Sequence, residues 1–176
     1  MSRAGRIAIL LLLAYWTWRF LAYPMREDVI NASVLHLPNL IFHEAGHFIF
    51  SPFGRFMTVL GGSLNQVLVP IVCAIAFLTP ASRDVFAAAI MGWWAGENLL
   101  DVAIYINDAR ALQLTLVGGH TGSEVYGHDW EQLLTMTNAL HLDHRIANLV
   151  QFAGGVVMIA CLMFALYLTL RTPLAE

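Results

Sequence analysis

The residues with the clearest potential for chemistry form the segment His43-Glu44-Ala45-Gly46-His47, an H-E-x-x-H pattern. On a helix, His43 and His47 lie one turn apart on the same face, so both imidazoles can bind a single Zn²⁺ ion. Glu44 lies beside them and can accept a proton from a water molecule that the metal activates. The pattern therefore predicts a zinc site in which His43 and His47 are ligands and Glu44 is the general base.

This motif lies in a strongly apolar stretch, LIFHEAGHFIF, at positions 40–50. A carboxylate at the centre of a membrane helix costs at least about 2.5–3.5 kcal/mol on insertion scales, and such residues are usually functional. The alternative is a structural polar cluster in which neighbouring side chains satisfy the two histidines. A bound metal accounts for both histidines and the glutamate together, so we favour the metal site.

A catalytic zinc ion has three protein ligands and one open position, so a third ligand must come from elsewhere in the chain. Asp101 and Asp108 are the leading candidates because they are rare acids beside apolar sequence and lie seven residues apart, on nearly one helical face. His128, in a later polar segment, is a further candidate. Asp108 could instead form an ion pair with Arg110, and Asp101 could be a hydrogen-bonded buried carboxylate.

Two amide side chains, Asn65 and Gln66, follow the pair Gly61-Gly62. Small residues allow helix backbones to approach closely in a membrane, which would bring these amides near the motif. They could donate hydrogen bonds to a substrate backbone or a developing oxyanion. They could equally join two helices as a polar clasp, and the sequence leaves both alternatives open.

Composition restricts the class of protein that carries this site. The chain has 176 residues, of which 59% are hydrophobic and only 12% charged, whereas soluble domains have about 25% charged residues. This argues against a soluble enzyme and for an all-α polytopic membrane protein embedded in a lipid bilayer. The net charge of −3 and the absence of a basic cluster predict no nucleic-acid partner. Exclusive use of arginine among the basic residues, together with the small size, suggests a bacterial inner (plasma) membrane.

The gaps between charged residues predict about five transmembrane or partly inserted helices and one short loop helix. A cleaved signal peptide is the alternative for the first segment, but Arg19 and the bulky aromatic residues beside it disfavour a cleavage site. The capping pattern D-x-x-Q of Asp129 and Gln132 marks the loop helix. The predicted helices are residues 7–23, a short helix from Pro38 to residue 50, a third opening at Gly61-Gly62 and closing near Pro80, then 85–106 and 146–170.

These segments make one integral membrane domain over residues 1–176. We divide it into a first helix and loop (1–28), a metal-site core (29–112), a polar loop with a short helix (113–145), and a last helix and tail (146–176).

Over residues 34–112 the chain resembles the site-2 protease family of zinc intramembrane metalloproteases. The resemblance rests on H-E-A-G-H in a membrane helix, on Gly61 with Asn65, and on Asn98-Leu99-Leu100 followed by Asp108. It implies that His43, His47 and Asp108 bind zinc, that Glu44 is catalytic, and that Asn65 and Asn98 support the substrate or oxyanion. This chain has Asn107-Asp108-Ala109 where the family usually has Leu-Asp-Gly.

The expected function is therefore zinc-dependent hydrolysis of peptide bonds in or near the transmembrane segments of a membrane-protein or peptide substrate. The alternative is a catalytically inactive, protease-like membrane protein that binds partners or metal. A haem carrier using His36, His43 and His47 belongs to this second class, although haem would leave Glu44 without a role.

Overall fold

The architecture is a bundle of helices, and the computed structural model describes residues 1–171 of the chain. Within that range there are seven α-helices and no β-strand, apart from an isolated bridge between Thr115 and Thr121. The end of the predicted tail, 172–176, lies outside the described residues. The helices are α1 (Arg3–Ala22), α2 (Glu27–Asn31), α3 (His36–Phe50), α4 (Arg55–Leu78), α5 (Val85–Asn107), α6 (Asp129–Met136) and α7 (Asp143–Leu170).

Three helical segments within residues 1–171 are long and apolar enough to cross a membrane: Arg3–Ala22, Arg55–Leu78 and Leu140–Leu170. The all-helical prediction is thus confirmed, and three of the predicted helices meet the length and hydropathy of a membrane span, so the predicted count of about five stays a prediction. The difference between three and five comes from the helices that carry chemistry. α3 has only 15 residues, and α5 includes Glu97 and Asp101 in its apolar sequence.

Two helices begin earlier than the sequence predicts, because the predicted starts were a proline and a glycine pair that lie inside the helices. α3 begins at His36, two residues before Pro38. α4 begins at Arg55 after Gly54, whose φ of 90° only glycine adopts readily, so Gly61-Gly62 lie inside the helix. Interior glycines are unfavourable for an isolated helix, but here a neighbouring backbone occupies the space that side chains would need.

α5 is the central helix, and it packs against α7 on one side and α4 on the other. The main apolar cluster lies between α1, α5 and α7 and includes Trp93, Leu100 and Met158, which are almost fully buried. The indole Nε1 of Trp93 donates a hydrogen bond to Thr17 Oγ1 at 2.8 Å, so its polar atom is satisfied inside the core. These contacts hold α5 in place within the bundle, and other residues of α5 line the candidate site.

Contact between the backbones of α3 and α4 determines how closely the histidine-bearing helix approaches the rest of the bundle. A Cβ atom on Gly61 would lie 2.6 Å from the carbonyl oxygen of Gly46 and 2.7 Å from Phe50 Cβ. Asn65 Nδ2 donates a hydrogen bond to the carbonyl oxygen of Phe42 at 2.7 Å, which joins the same two helices. The face of α3 that carries His43 and His47 is thereby held against α4.

We predict that Gly61→Ala destabilises the protein, because the added methyl group would force α3 away from α4. Overpacking of this kind costs about 1–3 kcal/mol, which corresponds to a fall of several degrees in the unfolding midpoint. The measurement is thermal unfolding of the detergent-solubilised chain, followed by tryptophan fluorescence. Gly5→Ala is the matched control, since the nearest atoms to its Cβ would be side-chain atoms of Met1 at 3.3 Å and Ser2 at 3.4 Å, with no neighbouring backbone atom among them. Equal midpoints for the two variants would contradict the proposed role of the α3–α4 contact.

Candidate metal centre

The two histidines of the H-E-x-x-H motif face the same carboxylate. His43 and His47 lie one turn apart on α3, with ring centroids 4.9 Å apart. The Nε2 atom of His43 lies 2.9 Å from Asp129 Oδ2, and the Nε2 atom of His47 lies 3.2 Å from the same oxygen. Three potential ligand atoms from α3 and α6 therefore converge on one point.

The other nitrogen of each imidazole is held by an oxygen of α4. His43 Nδ1 lies 2.7 Å from Gln66 Oε1, and His47 Nδ1 lies 2.8 Å from the carbonyl oxygen of Thr58. Because both partners are acceptors, each Nδ1 carries the proton, and in the neutral ring the Nε2 lone pair points towards Asp129. Metal-binding histidines show this arrangement, in which the second nitrogen donates to a fixed oxygen.

The orientation of Gln66 is set by the residues behind it. Asn98 Nδ2 donates to the carbonyl oxygen of Trp94 at 3.0 Å, which leaves Asn98 Oδ1 as an acceptor. Gln66 Nε2 donates to Asn98 Oδ1 and Asp101 Oδ2, each at 3.3 Å. Its Oε1 atom therefore faces His43, so the tautomer of that histidine is determined by a hydrogen-bonded chain that reaches α5.

These donors fit a zinc ion. Two imidazole nitrogens and a carboxylate oxygen that face one another need a positive charge between them, either protons on the rings or a shared metal ion. Ligands of a tetrahedral zinc ion with bonds of about 2.0–2.1 Å lie about 3.3 Å apart, close to the observed 2.9 and 3.2 Å. A ligand atom of Glu44 lies within 4.8 Å of those of both histidines, so a carboxylate is available beside the metal position.

Gly62 keeps the space beside the two rings open. A Cβ atom at this position would lie 2.5 Å from His43 Nε2 and 2.7 Å from His47 Cε1. Any other residue would place its side chain against the atoms that face Asp129. Gly62 thus leaves room for the two histidine rings, while Gly61 allows the close contact between α3 and α4.

A cavity of about 710 Å³ opens from the two histidines towards α2 and α5. Glu44 is an exposed residue that lines it, as do Glu27, His36 and Asp101. Apolar side chains of the segment 114–117 form part of the opposite wall. The candidate general base therefore faces an open cavity large enough to admit water.

The predicted third ligands lie elsewhere. Asp108 Oδ2 lies 3.3 Å from His128 Nε2, and Asp101 lies 3.5 Å from His36 Nδ1 and accepts the hydrogen bond from Gln66. Arg110, the alternative partner of Asp108, instead donates to Asp143 Oδ2 at 2.7 Å. Among residues 1–171, Asp129 supplies the carboxylate that contacts both histidines of the motif, and we take it as the leading candidate for third ligand.

The amides predicted to support a substrate make their hydrogen bonds within the protein. Asn65 joins α4 to α3 through the carbonyl oxygen of Phe42, and Asn98 bonds to its own helix and to Gln66. The bonds of Asn65 to α3 and of Gln66 to α5 correspond to the polar clasp that the sequence leaves open as an alternative for these two residues. The proposed contact of these amides with substrate stays a prediction.

The capping pattern in the sequence predicts only a helix start at Asp129, and it gives no sign of the contact between Asp129 and the motif histidines. The structure has His128 as the capping residue and Asp129 as the first residue of the helix. Asp129 contacts His43 across 86 positions of sequence, a separation at which no local pattern applies. The available signal was the pair His128-Asp129, two potential ligands directly before an amphipathic helix.

Two hydrogen bonds hold Asp129 in position. Its backbone N–H donates to the hydroxyl oxygen of Tyr105 on α5 at 3.0 Å. The adjacent indole of Trp130 donates from Nε1 to Ser63 Oγ on α4, also at 3.0 Å. The start of α6 is thus docked on both helices that line the site.

We predict that Gln66→Leu weakens the binding of a divalent metal by about 10–100-fold, because His43 loses the acceptor that fixes its tautomer and orientation. The measurement is titration of the metal-free, detergent-solubilised protein with Zn²⁺ in competition with a chelating dye. Gln132→Leu is the matched control: Gln132 also lines the cavity, but it bonds to Tyr126 and Arg55 rather than to a histidine. An equal loss of affinity in both variants would contradict the role assigned to Gln66.

Comparison with known proteins gives no match: no protein-family model, no curated protein and no solved structure matches this chain.

Proposed function

We propose that this protein is a zinc-dependent intramembrane metalloprotease that hydrolyses peptide bonds in or near transmembrane segments. The observation that carries the proposal is the convergence of His43 Nε2 and His47 Nε2 on Asp129 Oδ2, with Glu44 at the edge of a large cavity. In this proposal His43, His47 and Asp129 would hold the metal, and all three residues line the cavity.

The proposed reaction needs the metal, a base and room for a peptide. When bound, Zn²⁺ supplies Lewis acidity, which polarises a carbonyl group and lowers the pKa of a water molecule to about 7. Glu44 would accept a proton from a water molecule as the water oxygen bonds to the scissile carbonyl carbon, and would deliver that proton to the leaving amine nitrogen as the C–N bond breaks. Exposure of Glu44 to the cavity supports this role, because the carboxylate can reach a molecule that enters from there.

Membrane embedding is supported by an inversion of the usual distribution of polar and apolar residues. Glu97 and Asn98 are 0% exposed, whereas Phe48 is 87% exposed and Phe152 is 70% exposed. Large exposed apolar surfaces mark contacts with a membrane or a partner. On α3, the exposed residues other than the cavity-lining Glu44 are apolar, namely Leu37, Ile41, Phe48 and Ile49, whereas His43 is buried. We propose that α3 and α5 join the three candidate spans, which gives five transmembrane or partly inserted helices in a bacterial inner membrane.

The cavity supports a peptide as substrate. Its volume of about 710 Å³ lies within the range of about 300–1,000 Å³ that is typical of ligand pockets. The lining combines apolar side chains with polar groups near the motif. The apolar side chains suit the side chains of a substrate's transmembrane segment, and the polar groups suit its unwound backbone. The resemblance of H-E-A-G-H, Gly61 and Asn65 to the site-2 protease family points to the same class of substrate.

The decisive variant is Glu44→Gln, which we expect to abolish cleavage and leave zinc binding unchanged. The amide keeps the size of the side chain but cannot accept the proton of the attacking water. Wild-type and variant proteins are reconstituted in liposomes with a panel of labelled transmembrane peptides, and cleavage products are measured by mass spectrometry. Glu27→Gln is the matched control, because it makes the same change in another cavity-lining carboxylate. Cleavage by Glu44→Gln at the wild-type rate would contradict the mechanism.

Metal content separates the protease from the alternative class. We expect one zinc ion per purified chain, no Soret band in the absorption spectrum, and loss of the zinc from Asp129→Ala. A Soret band would favour the haem carrier. One zinc ion per chain with no cleavage of any peptide in the panel would favour an inactive, metal-binding relative.

A further inference from the structure

We infer that Asp108 is a positioning residue for the metal ligand Asp129, and that it acts by holding both ends of the loop 109–128 on one carboxylate. The inference rests on the metal site proposed above. It gives Asp108 a role different from that of a zinc ligand, and it explains how a ligand can be supplied reliably from a loop helix.

The beginning of the loop is bound by backbone hydrogen bonds to Asp108. This residue is the C-cap of α5. Its Oδ1 atom accepts a hydrogen bond from the backbone N–H of Gln113, and its Oδ2 atom accepts one from that of Leu114, each at 3.0 Å. The chain is thus turned back towards the site directly after α5 ends.

The end of the loop meets the same carboxylate. His128 Nε2 lies 3.3 Å from Asp108 Oδ2, and His128 is only 2% exposed. His128 Nδ1 accepts a hydrogen bond from the backbone N–H of Glu131 at 3.2 Å. In the neutral ring the proton is therefore on Nε2, where it faces Asp108. The His128 side chain caps α6 through one nitrogen and contacts α5 through the other.

Asp129 follows His128 directly, so the position of one controls the position of the other. The His128 ring packs against Tyr105 with centroids 4.3 Å apart, and the Tyr105 hydroxyl accepts the backbone N–H of Asp129. Rotation or withdrawal of His128 would move this backbone, and with it the carboxylate that reaches the motif histidines. Asp108 itself makes three contacts, with Gln113, Leu114 and His128. It therefore acts on Asp129 through His128 and does not contact the ligand directly.

The charge of Asp108 suits this role. Burial by itself would raise the pKa of Asp108, but contact with His128 and hydrogen bonds from the amides of Leu114 and Gln113 lower the pKa below its ordinary value. With this lowered pKa the carboxylate is ionised at neutral pH, accepts the two backbone hydrogen bonds and lies beside His128 Nε2. Hydrogen bonds to an ionised acceptor are roughly twice as strong as neutral ones, which favours a firmly closed loop.

The test is metal binding by the full-length, detergent-solubilised protein, with Co²⁺ as the probe and its visible absorption as the signature of the ligand set. We expect Asp108→Asn to weaken Co²⁺ binding by about 10–100-fold while the spectrum of the bound ion keeps its shape and intensity. Asp129→Asn is expected to change the spectrum itself, because a ligand is altered. Asp84→Asn is the matched control at the other end of α5. There the side chain caps the helix by accepting from Ala87 N, which asparagine also does.

A second variant covers the case in which Asp108→Asn does not fold. His128→Asn keeps a good capping residue for α6 but is too short to reach Asp108, so it should weaken Co²⁺ binding to a similar extent. If the two residues act through one contact, the double variant should lose little more affinity than either single variant.

The outcomes separate this inference from the proposed function. Affinity of Asp108→Asn within threefold of wild type would overturn the positioning role and leave the protease proposal intact. A changed spectrum in Asp108→Asn with an unchanged one in Asp129→Asn would make Asp108 the ligand and overturn the inference. Failure of the wild-type protein to bind any Co²⁺ or Zn²⁺ would overturn the proposed metal site, and this inference with it.

Discussion

The contact of one carboxylate with two imidazoles is the interaction on which the rest of the site depends. His43 and His47 each have one nitrogen committed to an oxygen of α4, so the nitrogens that face Asp129 carry lone pairs when the rings are neutral. Three electron-rich atoms held at about hydrogen-bond distance need a cation, either protons on the rings or a metal ion. The neighbouring Glu44, the missing side chain of Gly62 and the open cavity all favour the metal ion.

α4 is the scaffold of this arrangement. Within three turns it supplies the carbonyl oxygen of Thr58, the close approach at Gly61, the open space at Gly62, and the amides of Asn65 and Gln66. Each contribution depends on the others, because the Gln66 amide reaches His43 only when α3 lies against the glycines. This explains how a helix with little charge can contain a polar site. The Thr58 carbonyl oxygen, Asn65 Nδ2 and both polar atoms of Gln66 each have a hydrogen-bond partner, as a low-dielectric environment requires.

The proposed third ligand comes from a different part of the fold than the two histidines. His43 and His47 belong to α3, within the apolar bundle, whereas Asp129 begins a short helix at the end of a polar loop. Segments of that loop also line the cavity. A metal ion bound by α3 and α6 would therefore link the bundle to the loop. Metal binding and formation of the cavity wall would then depend on the same contacts.

Local patterns in the sequence determined the helices and the motif, and the tertiary structure decided which side chains lie beside the motif. The pair His43 and His47 followed from helical periodicity, and the apolar segments followed from gaps between charges, because both depend on neighbours in sequence. Glycine positions indicated a close approach of helices, although Gly61-Gly62 proved to be interior rather than terminal. The choice among Asp101, Asp108 and Asp129 depended on contacts that span tens of residues. Such contacts are set by the packing of α4, α5 and α6, for which no periodicity in the sequence exists.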